Sequence, residues 1–157
     1  MEFLIKKATI SDLKDIQRLN RELFKKEFTD FDDTLDLEWT FSEIGERYYT
    51  DHITRDDNCA LVAVIDDEIV GYLVGCISIT SSYRVTVISA ELENMFVRDT
   101  HRGVGIGSNL YEAFAHWCKS KGVTRLSVIA SAQNTDAIDF YRENGFVDYS
   151  IALEADI

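Results

Sequence analysis

The sequence predicts an α/β fold: one mixed β-sheet flanked by helices, in a single domain over residues 1–157. Two observations predict it. Apolar runs rich in β-branched residues alternate with segments whose apolar residues recur every three or four positions, so strands and helices are interleaved. In the second half the order strand, helix, strand requires a crossover and makes that pair parallel, whereas a short turn between two earlier strands makes those antiparallel. A hydrophobic content of 46% over 157 residues suffices for one core, and the chain is too short for two ordinary domains.

Phe3 to Lys7 reads as the first strand, and Thr9-Ile10-Ser11-Asp12 has the [ST]-x-x-[DE] form that opens a helix. Leu13, Ile16, Leu19 and Leu23 give that helix its buried stripe. From Glu27 to Glu38 the pattern breaks into an acid-rich stretch, read as an exposed connection, before a weaker helical segment near Trp39 to Tyr49. Cys59 to Ile65 and Ile69 to Ile79 then form a hairpin across Asp66-Asp67-Glu68. Ile88 to Val97 is the next strand.

A helix follows from about Gly105 to Lys121, striped by Ile106, Leu110, Ala113, Phe114 and Trp117, with Gly122 at its C-cap. Arg125 to Ala130 is a strand, Asn134 caps a helix carrying Ala137, Ile138 and Tyr141, and Gly145 ends it. Phe146 to Leu153 returns as strand.

Sixteen basic against 28 acidic residues leave a net charge of −12, a field that repels nucleic acid and anionic lipid and attracts cations. No apolar stretch approaches the ~20 residues of a membrane helix, and the opening MEFLIKKATI lacks the layout of a signal peptide, so a cytoplasmic protein without a membrane partner is expected. Cys59, Cys76 and Cys118 are odd in number, far apart and set among apolar residues, as reduced core thiols would be. His52, His101 and His116 form no ligand spacing with them, so no metal is expected.

The chemistry concentrates where a strand bends into a helix, at Arg102-Gly103-Val104-Gly105-Ile106-Gly107. Unpaired N–H groups and the positive end of the helix dipole converge there, and glycines leave the backbone uncovered, so the bend suits an anion. The spacing fits neither the dinucleotide G-x-G-x-x-G fingerprint nor a Walker loop. On these residues alone the bend is either an anion site or a tight left-handed turn with no ligand.

Taken together, Glu91-Leu92-Glu93-Asn94-Met95-Phe96-Val97, then Arg102-Gly103-Val104-Gly105-Ile106-Gly107, then Asn134 and Phe140-Tyr141-Arg142-Glu143-Asn144-Gly145-Phe146 resemble the GNAT superfamily of N-acetyltransferases. Arg102, Gly105 and Gly107 match its R/Q-x-x-G-x-G/A signature, and the resemblance is strongest over residues 88–149. Asp99 stands where many relatives have proline and His101 where many have an aromatic.

The resemblance implies a GNAT-like fold and transfer of an acetyl group from acetyl-coenzyme A to a primary amine, such as a small amine, polyamine, aminoglycoside or peptide amine. It implies that main-chain amides of Arg102, Gly103, Val104, Gly105, Ile106, Gly107 and Ser108 hold the pyrophosphate. The strand edge at Met95, Phe96 and Val97 would pair with the pantetheine arm, with an amide near Met95 or Phe96 facing the acetyl oxygen. Asn134 would cap its helix and touch the pantetheine. Tyr141 would protonate the departing thiolate, and Glu91 or Glu93, on one face of their strand, would reach the amine directly or through water. A lysine-like amine needs such a base more, since removing its proton at pH 7 costs about 4.6 kcal/mol against about 1 kcal/mol for an α-amine.

The acids Asp30, Asp32, Asp33 and Asp36 lie where that family often builds its acceptor wall, and Asp32 and Asp33 are the candidate contacts for a cationic acceptor; solvated surface is the other reading. A homodimer is compatible with this reading. The rivals from other classes are a non-catalytic acyl-coenzyme A sensor and a phosphate-binding interaction module.

Overall fold

In the computed structural model, residues 2–85 and 87–157 are described. Strand β1 (Leu4–Lys7) leads through a 3₁₀ turn at Ile10–Asp12 into α1 (Leu13–Asp30). The anticipated capping box forms between Thr9 and Asp12: the Asp12 carboxylate accepts the Thr9 N–H at 2.8 Å, and the Asp12 N–H also reaches the Thr9 carbonyl at 2.9 Å. Helix α1 runs on through Glu27, where the sequence pattern breaks, because the next residues continue its backbone bonding and the Thr29 hydroxyl folds back onto the Lys25 carbonyl at 2.9 Å. The exposed connection is therefore shorter than expected.

The segment near Trp39 begins as a 3₁₀ turn, Trp39–Phe41, and becomes helical only in α2 (Glu43–Thr54), whose N-cap Ser42 accepts the Gly45 N–H at 3.1 Å. Its helix extends past Tyr49 and carries His52 in its last turn. Strands β2 (Asn58–Ile65) and β3 (Glu68–Ser78) form the anticipated hairpin. Asp66 and Asp67 both have positive φ, 48° and 65°, the left-handed pair that a two-residue hairpin turn demands.

Next come β4 (Ser89–Val97), α3 (Ile106–Ser120), β5 (Arg125–Val128) and α4 (Thr135–Glu143). Gly122 leaves α3 at φ 75° and Gly145 follows α4 at φ 90°, both in the left-handed region as their positions after helices predicted. The sheet order is β1-β2-β3-β4-β5, antiparallel up to β4 and parallel between β4 and β5. The mixed sheet follows from the crossover through α3.

Residues 146–153 are not a strand. Val147, Tyr149, Ile151 and Leu153 alternate as a strand would but are all exposed, between 71% and 89%. Alternation is a pattern that pairing must complete, and this segment has no ladder partner among the described residues.

Helices α1 and α2 cover one face of the sheet through Ile16, Leu19, Tyr49 and Ile53, packed on Ala60, Val62, Tyr72 and Val74. Helix α3 covers the other through Ile106, Leu110, Phe114 and Cys118, packed on Leu61, Ala63, Leu73 and Leu92. Cys59 and Cys118 are buried thiols, and burial pushes them up to about 12 and about 11. Among the described residues no helix is long and apolar enough to cross a membrane.

Candidate functional site

Strand β4 delivers the chain through a 3₁₀ turn at Asp99–His101 to the glycine-rich bend. Gly103 (φ 78°) and Gly105 (φ 91°) both adopt the left-handed conformation, and Gly105 is the N-cap of α3. A Cβ at Gly103 would meet nothing within 4 Å, one at Gly105 only Asn109 Nδ2 at 3.6 Å, and one at Gly107 only the Phe140 ring at 3.8 and 3.9 Å. Space therefore lies open over the backbone.

The first bond of α3 runs from the Asn109 N–H to the Gly105 carbonyl at 3.0 Å, so the N–H groups of Ile106, Gly107 and Ser108 have no acceptor within the helix. No acidic residue occupies its first turn. The cradle suits a polyanionic group such as a pyrophosphate.

The Arg102 side chain is committed to bracing this bend. Its Nε donates to the Val97 carbonyl at 2.7 Å, its guanidinium lies 5.4 Å over the Phe96 ring, and it pairs with Asp99 at 3.0 Å. What Arg102 offers an anion is its main chain.

Strand β4 changes character midway. Its parallel ladder to β5 ends at Leu92 opposite Val128, so Met95, Phe96 and Val97 have no β5 partner. On the β3 side, Val74 pairs with Asn94 and Gly75 with Leu92, leaving Glu93 as the extra residue of a β-bulge. Leu92 and Met95 belong to the α3 face, whereas Glu93 and Asn94 both reach α2. The bulge thus sends two successive polar side chains to one face.

Glu93 meets His52 Nε2 of α2, while His52 Nδ1 lies 2.8 Å from the Tyr48 carbonyl. The side chain of His52 is 6% exposed and that of Glu93 is 23% exposed. Cys76 on β3 completes a group whose Sγ, ring nitrogen and carboxylate oxygen lie within 4.8 Å of one another. Burial, then the charge of Glu93, a hydrogen bond to Glu93 and the charge of Glu91, pushes the Cys76 thiol up to about 12. Burial first, then the Glu93 charge, raises the Glu91 carboxyl above its ordinary value.

Asn94 is the hub beside them. Its Oδ1 accepts the Tyr49 hydroxyl at 2.9 Å and the Tyr72 hydroxyl at 2.8 Å, and its Nδ2 donates to the Tyr48 hydroxyl at 3.3 Å. Asn20 of α1 extends the chain to Tyr72 at 3.1 Å.

On the far side of the gap between β4 and β5, Asn134 caps α4 by accepting the Ala137 N–H at 3.2 Å. Tyr141 is half-buried, edge-on to Phe140 and Phe146 with ring centroids 5.4 and 5.5 Å away. Burial, followed by the charge of Glu27, pushes its phenol up to about 12. Glu27, half-buried at the end of α1, is itself raised by burial and then by Asp32.

Asp32 and Asp33 are exposed. Asp32 accepts the Thr34 N–H at 3.0 Å and hydroxyl at 2.6 Å, and these bonds hold its carboxyl below the ordinary range. Asp36 likewise accepts the Glu38 N–H at 3.0 Å. Asp30 instead lines a groove of about 570 Å³ with Glu22, Lys26, Phe96, Arg98 and Asp99.

The residues expected from sequence thus fall into four groups: the bend with the end of β4, the pair Glu91 and Glu93 on β4, Asn134 with Tyr141 at α4, and the exposed Asp32 and Asp33 after α1. Sequence reasoning missed His52, Cys76, Asn94 and Glu27. The only signal for His52 was its place four residues after Tyr48, legible once α2 is extended past Tyr49.

A model of the acetyltransferase (GNAT) family matches residues 14–146. A streptothricin acetyltransferase of Escherichia coli is 29% identical over 105 residues, covering 67% of this chain and 56% of that protein. An uncharacterized N-acetyltransferase of Methanocaldococcus jannaschii is 25% identical over 150 residues, covering 95% of this chain and 62% of that protein. The chain therefore spans little more than half the length of these relatives.

Among solved structures, the BH1408 protein of Bacillus halodurans aligns with a TM-score of 0.85 at 20% identity, over 98% of this chain and 99% of that one. An aminoglycoside N-acetyltransferase in complex with CoA aligns at 0.77 and 17% identity, over 99% and 95%. Likeness at these identities establishes the fold.

Proposed function

The chain belongs to the acetyltransferase (GNAT) family, and from that premise we propose that it transfers an acetyl group from acetyl-coenzyme A to a primary amine of a small molecule. The observation that carries the reading is the open, glycine-lined N-terminus of α3 beside a β4 edge without a strand partner. When bound, acetyl-coenzyme A supplies an acetyl thioester.

The N–H groups from Arg102 to Ser108 receive the pyrophosphate oxygens. The Met95–Val97 edge receives the pantetheine arm as an added strand. Because the Val97 carbonyl already accepts from Arg102, the groups nearer Met95 are the ones left for this pairing. An N–H near Met95 or Phe96 donates to the acetyl oxygen as negative charge develops, a contribution of about 2.7–4 kcal/mol in comparable acyl transfers. Glu91 or Glu93 takes the proton of the acceptor amine, directly or through water, and Tyr141 gives one to the departing sulfur. Asn134 fixes the start of α4 and so the placing of Tyr141.

Streptothricin and aminoglycoside acetyltransferases among the relatives support a small-molecule amine, and the net charge of −12 supports a cationic one. Asp32 and Asp33 are the proposed outer contacts for that cation. Three unpaired thiols support a cytoplasmic setting. A second copy of the chain is the proposed partner for the exposed alternation Val147, Tyr149, Ile151, Leu153, because each copy offers both an unpaired strand-like segment and the free edge of β5. Light scattering that finds only monomers at assay concentration removes this partner.

The decisive measurement is thiol release from acetyl-coenzyme A across a panel of amines, joined to melting curves with the cofactor. A ligand at 100 times its dissociation constant adds about 2.7 kcal/mol of apparent stability. Gly105→Val should abolish that gain by filling the cradle and straining a left-handed position. A wild-type protein indifferent to millimolar coenzyme A would overturn the reading, and binding without thiol release would make the chain a sensor. Tyr141→Phe keeps the ring and removes the proton, so turnover should fall by about 10²–10⁴-fold with cofactor affinity little changed. An undiminished rate makes Tyr141 a packing residue.

A further inference from the structure

The contact between His52 and Glu93 constrains where a proton sits. Nδ1 of His52 faces the Tyr48 carbonyl at 2.8 Å. A carbonyl oxygen only accepts, so Nδ1 carries a hydrogen. Nε2 then faces a carboxylate oxygen of Glu93, and two bare acceptors repel each other at hydrogen-bond distance. One more proton must lie between them. The pair holds it either as imidazolium with carboxylate or as neutral imidazole with carboxylic acid.

Two surroundings favour the first form. His52 lies in the last turn of α2, where the helix dipole stabilises a cation. The Cys76 Sγ lies within 4.8 Å of the Glu93 carboxylate, so a thiol that keeps its proton sits beside the charge and favours the ionised carboxylate. The order of burial matters as well. His52, 6% exposed, stands behind Glu93, 23% exposed, so the carboxylate is the member that meets a ligand and the imidazole is its support.

Resting on the acetyl-transfer reading, we propose that His52 is a positioning residue for the acceptor amine: its Nε2–H pins the bulged Glu93 carboxylate toward the acceptor. The free oxygen of Glu93 then hydrogen-bonds the incoming ammonium group and receives a proton from it before the nitrogen attacks. That proton leaves to solvent after turnover. The second proton on nitrogen is shed as the C–N bond completes, and the departing sulfur gains one as the C–S bond breaks, so protons balance with one released per transfer at neutral pH.

The other ionisable groups around the pair are Tyr48, Tyr49 and Asp57 on and just after α2, Cys76 and Tyr72 on β3, and Glu91 on β4. Burial first of all raises the three tyrosines, so they stay neutral at physiological pH.

The test joins spectroscopy of the resting protein to kinetics. In protein labelled with ¹⁵N-histidine, one imidazole should carry hydrogens on both nitrogens at neutral pH and lose one of them in Glu93→Gln. A His52 with a bare Nε2 at neutral pH overturns the proposal.

His52→Ala should lower kcat/KM by about 10–100-fold, the loss expected when a hydrogen bond to a charged group is removed. His52→Gln, which keeps an N–H donor, should recover most of it. Equal activities of the alanine and glutamine variants sink the role while leaving acetyl transfer intact. A wild type that binds coenzyme A and acetylates no amine defeats the proposed function and this role with it, whatever the resonances show.

Discussion

On the face of the sheet covered by α3, the buried side chains are almost all hydrocarbon, from Leu61, Leu73 and Leu92 on the strands to Ile106, Leu110 and Phe114 on the helix. On the face covered by α1 and α2, the buried set includes Tyr49, Tyr72, Asn20 and His52, which bond to Asn94, to Glu93 or to one another, and Gln17, which donates to the Thr40 carbonyl. Both faces exclude water, but the first buries almost no polar side chain, whereas the second meets most of its polar groups internally and leaves Asn20 Oδ1 and Thr40 Oγ1 buried without a partner. The comparison teaches that hydrocarbon packing and a buried polar network lie on opposite sides of one sheet, with β4 contributing to both.

Removing substance from the hydrocarbon face should have the largest effect on stability. Phe114 is fully buried against Gly75, where an added Cβ would come within 2.5 Å of its ring. Phe114→Ala should cost about 3–5 kcal/mol in denaturant unfolding. Below its lowered melting point the variant should keep wild-type KM for both substrates; a large rise in acceptor KM would mean that the two sides are not separable.

On the polar face a substitution should be able to stabilise. Glu27 has its carboxyl raised by burial and then by Asp32, so its folded value lies above its unfolded one. The sign follows: its contribution to stability is fully present below the unfolded value near about 4.3 and is lost as pH rises through the folded value. Glu27→Gln should therefore melt higher than wild type at pH 7–8, with the difference closing toward pH 4. A variant that melts lower at neutral pH would place Glu27 in a favourable pairing and contradict the burial argument.

The smallest effect belongs to neither face. Asp32→Asn with Asp33→Asn should raise KM for a cationic acceptor at low salt and leave the cofactor KM unchanged, since exposed pairs contribute only ~0.2–1 kcal/mol each. Asp32 already spends its carboxylate on Thr34, so part of any loss will be the turn itself. Circular dichroism and melting of the double variant separate that part from lost attraction, and an unchanged KM and salt response leaves the segment as solvated surface.

The hydrocarbon face and the glycine bend were legible in the sequence because they rest on local rules. Gly105 at the start of α3 and Gly122 after it are read from position alone, and the stripe Ile106, Leu110, Phe114 announces its own burial. The polar face was not legible, because its meaning lies in pairs far apart in the chain. Glu93 was singled out on its strand, but His52 became its partner only when α2 extended beyond Tyr49 and the sheet brought β4 beneath it. Residues 146–153 failed in the opposite direction, since they have the alternation of a strand and lack the neighbour that would make them one.

The bulge at Glu93 can also be considered in terms of reading frame. Without that residue, Leu92 and Asn94 would be consecutive, would already point to opposite faces, and would already stand against Gly75 and Val74 in unbroken register. The ladder thus closes without Glu93, which makes it an inserted letter in an otherwise regular word. Substituting it should change the chemistry and keep the kink, whereas deleting it should straighten β4 into an ordinary strand, leave its pairing with β3 continuous, and silence the site without unfolding the sheet.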